Sequence, residues 1–131
     1  MPLEILSDYL AEIETALRSL SNSHFEKYEE EIIAFDRVNL RVRIRFAEGY
    51  LFELNEAIVV EQSDLKHLSY RYHFQDQNNQ LMVRYDNTPH FPDLPTYPHH
   101  KHFLREVVSS AKPSITDVVK EIGRIVYKPV E

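Results

Sequence analysis

Between Asn39 and Phe46 the chain alternates without a break, Leu40, Val42, Ile44 and Phe46 against Arg41, Arg43 and Arg45. Strand side chains point to opposite faces at successive residues, so this segment suits a strand with one face in a core and the other in water. A partner strand follows from Ala47-Glu48-Gly49, a three-residue hairpin loop with Gly49 in the left-handed region, which sets Ile44 opposite Phe52 and Arg43 opposite Glu53. The chain is thereby committed to a two-faced antiparallel sheet.

The same alternation recurs in Tyr70 to Asp86. Tyr70, Tyr72 and Phe74 share a face with Val83 and Tyr85, while Arg71, His73 and Gln75 share the other with Arg84 and Asp86. Asn78-Asn79 suits a two-residue primed turn, because Asn tolerates positive φ, and this pairs Tyr72 with Tyr85, Phe74 with Val83, Arg71 with Asp86 and His73 with Arg84. A slip of one residue would mix the apolar and charged sets, so the pattern specifies its own register.

Other elements are placed around this sheet. Leu6, Tyr9, Leu10, Ile13, Leu17 and Leu20 follow helical spacing, which predicts a helix from about residue 4 to 20, ended by Ser21-Asn22-Ser23. Phe25 to Phe35 reads as a strand despite its run of Glu, and Ala57 to Glu61 and Leu68 to Phe74 continue the meander through a turn at Gln62-Ser63-Asp64. Pro113-Ser114-Ile115-Thr116-Asp117 has the form of a helix start capped by Ser114, with Ile115, Val118, Val119 and Ile122 as its apolar stripe and Gly123 as a stop. The expected architecture is α+β: one domain over residues 1–131, an antiparallel meander of about five strands, and N-terminal and C-terminal helices packed on one face. The opposite face is expected to carry Arg41, Arg43, Arg45, Arg71, His73, Arg84 and Asp86, roofed by a proline-rich loop.

The formal net charge of −6 argues against indiscriminate binding to nucleic acid, yet it averages two unlike halves. Residues 1–65 carry 14 acidic and 6 basic groups, whereas residues 66–105 carry 3 and 5. With no cysteine and no secretory or transmembrane run, a reducing cytoplasmic setting without membrane attachment is expected.

Six of the seven histidines fall between His67 and His102, a density that suits chemistry near neutral pH more than core packing. Around them stand Tyr70-Arg71-Tyr72-His73-Phe74-Gln75-Asp76, then Arg84-Tyr85-Asp86-Asn87-Thr88-Pro89-His90, then Leu94-Pro95-Thr96-Tyr97-Pro98-His99-His100-Lys101-His102. In this order and spacing the three segments resemble the TumE family of toxins from toxin–antitoxin operons. The resemblance implies a small type II growth inhibitor neutralised by a cognate antitoxin, usually a helix-turn-helix protein. It carries over to Arg71, His73, Asp76, Arg84, Asp86, Asn87, Pro89, His90, Pro98, His99, His100, Lys101 and His102, while Phe91 stands where the family often has another histidine.

The chemistry is argued from the residues themselves. RNA cleavage without a metal needs a base for the 2′-hydroxyl proton, cations for the phosphate and an acid for the leaving oxygen. His73 is the candidate base, with Asp86 to orient Arg71 and with His99, His100 or His102 to supply the acid; Arg71, Arg84, Asn87, Lys101 and Arg43 are the candidate phosphate and RNA contacts. A metal held by His90, His99, His100 and His102 is disfavoured, since adjacent histidines on a loop seldom aim at one ion, and no metal or cofactor is expected. The expected function is a toxin acting on RNA, as a ribonuclease in preference to a non-catalytic inhibitor that blocks a protein or nucleic-acid target. Self-association is left open. For any single histidine a structural role is favoured; for the whole cluster a functional one is.

Overall fold

The computed structural model describes residues 2–89, 92–103 and 105–127. Helix α1 (Pro2–Arg18) leads into strands β1 (Ser23–Ala34), β2 (Arg37–Phe46), β3 (Leu51–Glu61), β4 (Asp64–Gln75), β5 (Leu81–Asp86), β6 (His100–Phe103) and β7 (Glu106–Ser109), and helix α2 (Ile115–Val126) closes the order. The strands form one antiparallel sheet in sequential order, so every strand lies beside its neighbour in the chain. The sheet has seven strands, not about five. The two further strands are β6 and β7, four residues each; the His-Lys-His sequence of β6 shows no apolar alternation, and β7 is only Glu-Val-Val-Ser.

Both helices pack on one face. Ile13 and Leu17 of α1 and Ile115, Val118 and Ile122 of α2 join Val42, Phe52, Leu54, Tyr72, Phe74 and Val83 in the main core. Burying each such side chain contributes roughly 1.5–3 kcal/mol, which is what holds the helices to the sheet. The Ser114 hydroxyl caps α2 by accepting from the Asp117 N–H at 3.1 Å. Gly123 does not end this helix. It continues to Val126, where the Tyr127 N–H bonds to the Gly123 carbonyl and the Tyr127 ring lies where a Gly123 side chain would come within 3.7 Å.

The hairpin registers agree with the sequence pattern: Ile44 faces Phe52, Arg43 faces Glu53, Tyr72 faces Tyr85 and His73 faces Arg84. The turns differ in detail. Gln62 and Ser63, both at positive φ, connect Glu61 directly to Asp64, so the turn has two residues and Asp64 belongs to β4. At the β4–β5 tip the Asp76 N–H bonds to the Gln80 carbonyl, leaving a three-residue loop with Asn79 at positive φ. The Asp76 carboxylate accepts from the backbone N–H groups of Asn78 and Gln80, and a register shift between Phe74 and Gln75 restores the pairing further along. A second shift, between Ala57 and Ile58, sets His67 opposite Ile58 and leaves Leu68 without a register partner. It brings His67 to the helix side of the sheet, where it meets Glu56.

Candidate functional site

On the face away from the helices, β4, β5 and β6 present a grid of six side chains. One row is Arg71, Asp86 and His100; the next is His73, Arg84 and His102. Alternation selects these residues, and adjacent strands set them roughly 4.8 Å apart along each row. Four of the six are visible in the sequence as one hairpin face. The other two come from β6, which the sequence reading assigns to a loop.

His100 and Asp86 form the buried centre, 2% and 5% exposed. His100 Nδ1 lies 2.9 Å from the Pro98 carbonyl, which can only accept, so Nδ1 carries a proton. His100 Nε2 then meets Asp86 Oδ1 at 2.7 Å, a contact of two lone pairs unless a second positive centre lies between them. A proton on either atom, or a bound cation, makes the contact favourable. His102 Nε2 stands 3.5 Å from Asp86 Oδ2, with its ring edge-on to His100 at 4.6 Å, and the Thr88 N–H donates to Asp86 Oδ1 at 3.0 Å.

The second row has its own wiring. Arg84 Nε and Nη2 approach His73 Nδ1 at 3.1 and 3.0 Å, so Nδ1 is the acceptor and Nε2–H donates to Gln75 Oε1 at 2.8 Å. Gln75 in turn donates to Asn79 Oδ1 at 3.0 Å. Burial, and then the charges of Arg84 and Arg71, hold the His73 imidazole below its ordinary range, while the Gln75 bond opposes them. The neutral ring thus orients Arg84. Its lone pair is engaged, which removes the simplest route by which His73 could act as a base.

Other residues expected at the site lie elsewhere. His99 Nδ1 bonds to the Tyr70 hydroxyl at 2.9 Å and its ring stacks on Tyr70, whose side chain belongs to the helix-side core. Lys101 points to that side too, between the Tyr85 and Phe103 rings, and pairs with Glu121 of α2 at 2.9 Å. Asn87 bonds to the Tyr70 N–H and the Leu68 carbonyl, completing the β4 edge where β5 stops. Arg43 shares the open face but is countered by Glu26 at 2.8 Å and Glu53 at 3.6 Å, as Arg45 is by Glu26 and Arg41 by Glu29. Arg71 is opposite Asp86 in register, yet among the described residues it forms no ion pair with it. Asp86 is turned to the histidines. His90 and Phe91 lie outside the described residues, and so does part of the expected roof.

A second polar cluster, not anticipated from the sequence, sits on the helix side. Glu56, 3% exposed, accepts from the hydroxyls of Tyr9 at 2.6 Å and Tyr72, and His67 Nε2 lies 3.2 Å from it and 2.8 Å from the Tyr9 hydroxyl. Burial works to raise the Glu56 carboxyl, but His67, Tyr72 and Tyr9 outweigh it and hold the group below its ordinary range. A cleft of about 350 Å³ between α1 and β1, lined by Leu3, Leu6, Leu10, Ile32 and Val38, has no histidine in its lining.

The family model described as Toxin TumE matches residues 11–128. The chain belongs to the TumE toxin family. Membership covers far more than the segments that carry the sequence resemblance, and it makes this TumE protein the toxin of a toxin–antitoxin system, with an antitoxin as its partner. No curated protein and no solved structure matches the chain. Among the described residues no helix of this TumE toxin is long and apolar enough to cross a membrane.

Proposed function

We propose that this toxin acts in the cytoplasm on RNA, cleaving a phosphodiester by general acid and base chemistry that needs no metal. The observation that carries the reading is the buried His100–Asp86 pair with His102 beside it and Arg84 in the adjoining row. His102, less buried than His100 and Asp86, takes the proton of the 2′-hydroxyl, and the oxygen attacks phosphorus to form a 2′,3′-cyclic phosphate. His100, carrying a proton on each nitrogen when Asp86 is ionised, gives the Nε2 proton to the departing 5′-oxygen, and Asp86 holds both rings. Arg84, aimed by His73, and Arg71 take up the charge that grows on the phosphate.

The cognate antitoxin in this reading is a helix-turn-helix protein. Purified toxin should cut single-stranded RNA in excess EDTA, leave cyclic phosphate ends and spare a substrate with 2′-deoxyribose at the cleaved position. Cleavage of the deoxy substrate would overturn the mechanism, and toxicity without any RNA cleavage would favour a blocking inhibitor.

A further inference from the structure

We propose that Asp86, His100 and His102 form a binding site for one first-row divalent transition-metal ion of the zinc class. One potential ligand atom from each residue falls within a cluster 4.8 Å across. The sequence argument against a metal was that loop histidines scatter, and it lapses here because the two histidines occupy alternate positions of β6, with Asp86 across from His100 on β5. Strand geometry sends both rings to the same face.

Three features suit an ion. The Pro98 carbonyl fixes the proton of His100 on Nδ1 and turns Nε2 toward Asp86, the orientation that an outer partner gives a metal-ligating histidine. With metal bonds of roughly 2.0–2.2 Å, ligand atoms around one ion stand about 2.9–3.5 Å apart; the two contacts with Asp86 are 2.7 and 3.5 Å, so small side-chain shifts suffice. Two imidazoles with one carboxylate favour zinc and its neighbours over magnesium or calcium, which prefer all-oxygen sets.

An ion bound there would occupy His100 Nε2, His102 and the Asp86 carboxylate, the groups that the cleavage step uses. This consequence, inhibition by zinc, rests on the reaction proposed above; the site does not.

The test is titration of the full-length protein with Co²⁺, followed by visible absorption and reversed with Zn²⁺, in the absence of RNA. The wild type should saturate at one equivalent. His102→Ala and Asp86→Asn should each weaken binding by more than the roughly 10–100-fold typical of losing an outer-sphere partner, with circular dichroism confirming the fold. His99→Ala, altering a neighbouring histidine that serves Tyr70, should leave the titration unchanged. Binding insensitive to both site variants, binding lost in His99→Ala, or no saturable band from folded wild type would each overturn the site. Because no turnover is read, absence of ribonuclease activity would count against the reaction alone.

Discussion

Two histidine–carboxylate pairs lie on opposite faces of the same sheet, Glu56 with His67 under α1 and Asp86 with His100 on the open face. Their surroundings set their uses apart. Glu56 is clamped by two tyrosine hydroxyls whose own protons burial and the nearby carboxylate hold well above the ordinary tyrosine range, so these donors do not give up their protons near neutrality. Asp86 is held by the His100 and His102 imidazoles and the Thr88 backbone N–H, on the face that also carries Arg71 and Arg84. The first carboxylate–imidazole contact is thus tied into the packing of α1 on the sheet, whereas the second lies beside arginines on the open face, where the proposed chemistry is placed.

Breaking the helix-side cluster should have the largest effect on the fold. Tyr72→Ala removes a buried ring and a Glu56 donor, and should cost about 3–5 kcal/mol, read as a collapse of the thermal melt. Arg84→Ala should leave the melt within about 1 kcal/mol of wild type while lowering toxicity and cleavage by roughly 10²–10³-fold, the usual loss for one transition-state donor. An Arg84→Ala protein that is folded and fully toxic would remove the open-face site from the function.

Glu56→Gln should cost about 1–3 kcal/mol and should also separate two acid transitions. A histidine depressed in the folded state stays neutral while the unfolded chain takes up a proton, so His73 makes stability fall as pH drops below about 6.5 toward its folded value. A depressed carboxylate contributes stability above about 4.5 that is lost as pH falls through its lower folded value, and this is the Glu56 contribution. Denaturant titrations across pH should show the lower transition vanish in Glu56→Gln and the upper one in His73→Asn. The smallest effect is expected from Arg43→Ala, whose partners Glu26 and Glu53 are solvated: about 0.2–1 kcal/mol in stability and unchanged cleavage. A large loss of cleavage there would extend the site across β2.

How much of this was legible depended on how far each feature rests on alternation. Arg71, His73, Arg84 and Asp86 can be placed on one face from sequence, because apolar neighbours at every second position make the register self-checking. β6 cannot, since its inward positions are Lys101 and Phe103 and the strand is four residues long. The seclusion of His100 is a tertiary result. The Glu56 cluster was hidden by the irregularity near Leu68, which reverses the facing that simple alternation assigns to His67. The Asn-Asn turn, in contrast, is one residue longer than its sequence suggests, and the compensating register shift keeps Arg71 opposite Asp86 and His73 opposite Arg84.

The sequential strand order leaves β1 with a free edge twelve residues long, and Ile32, 72% exposed, follows directly on Glu29, Glu30 and Glu31. An open apolar edge is a template for aggregation, and like charges along it repel an identical edge brought alongside. The acidic run that confuses a helix-or-strand reading thus sets like charges where an identical edge would have to pair.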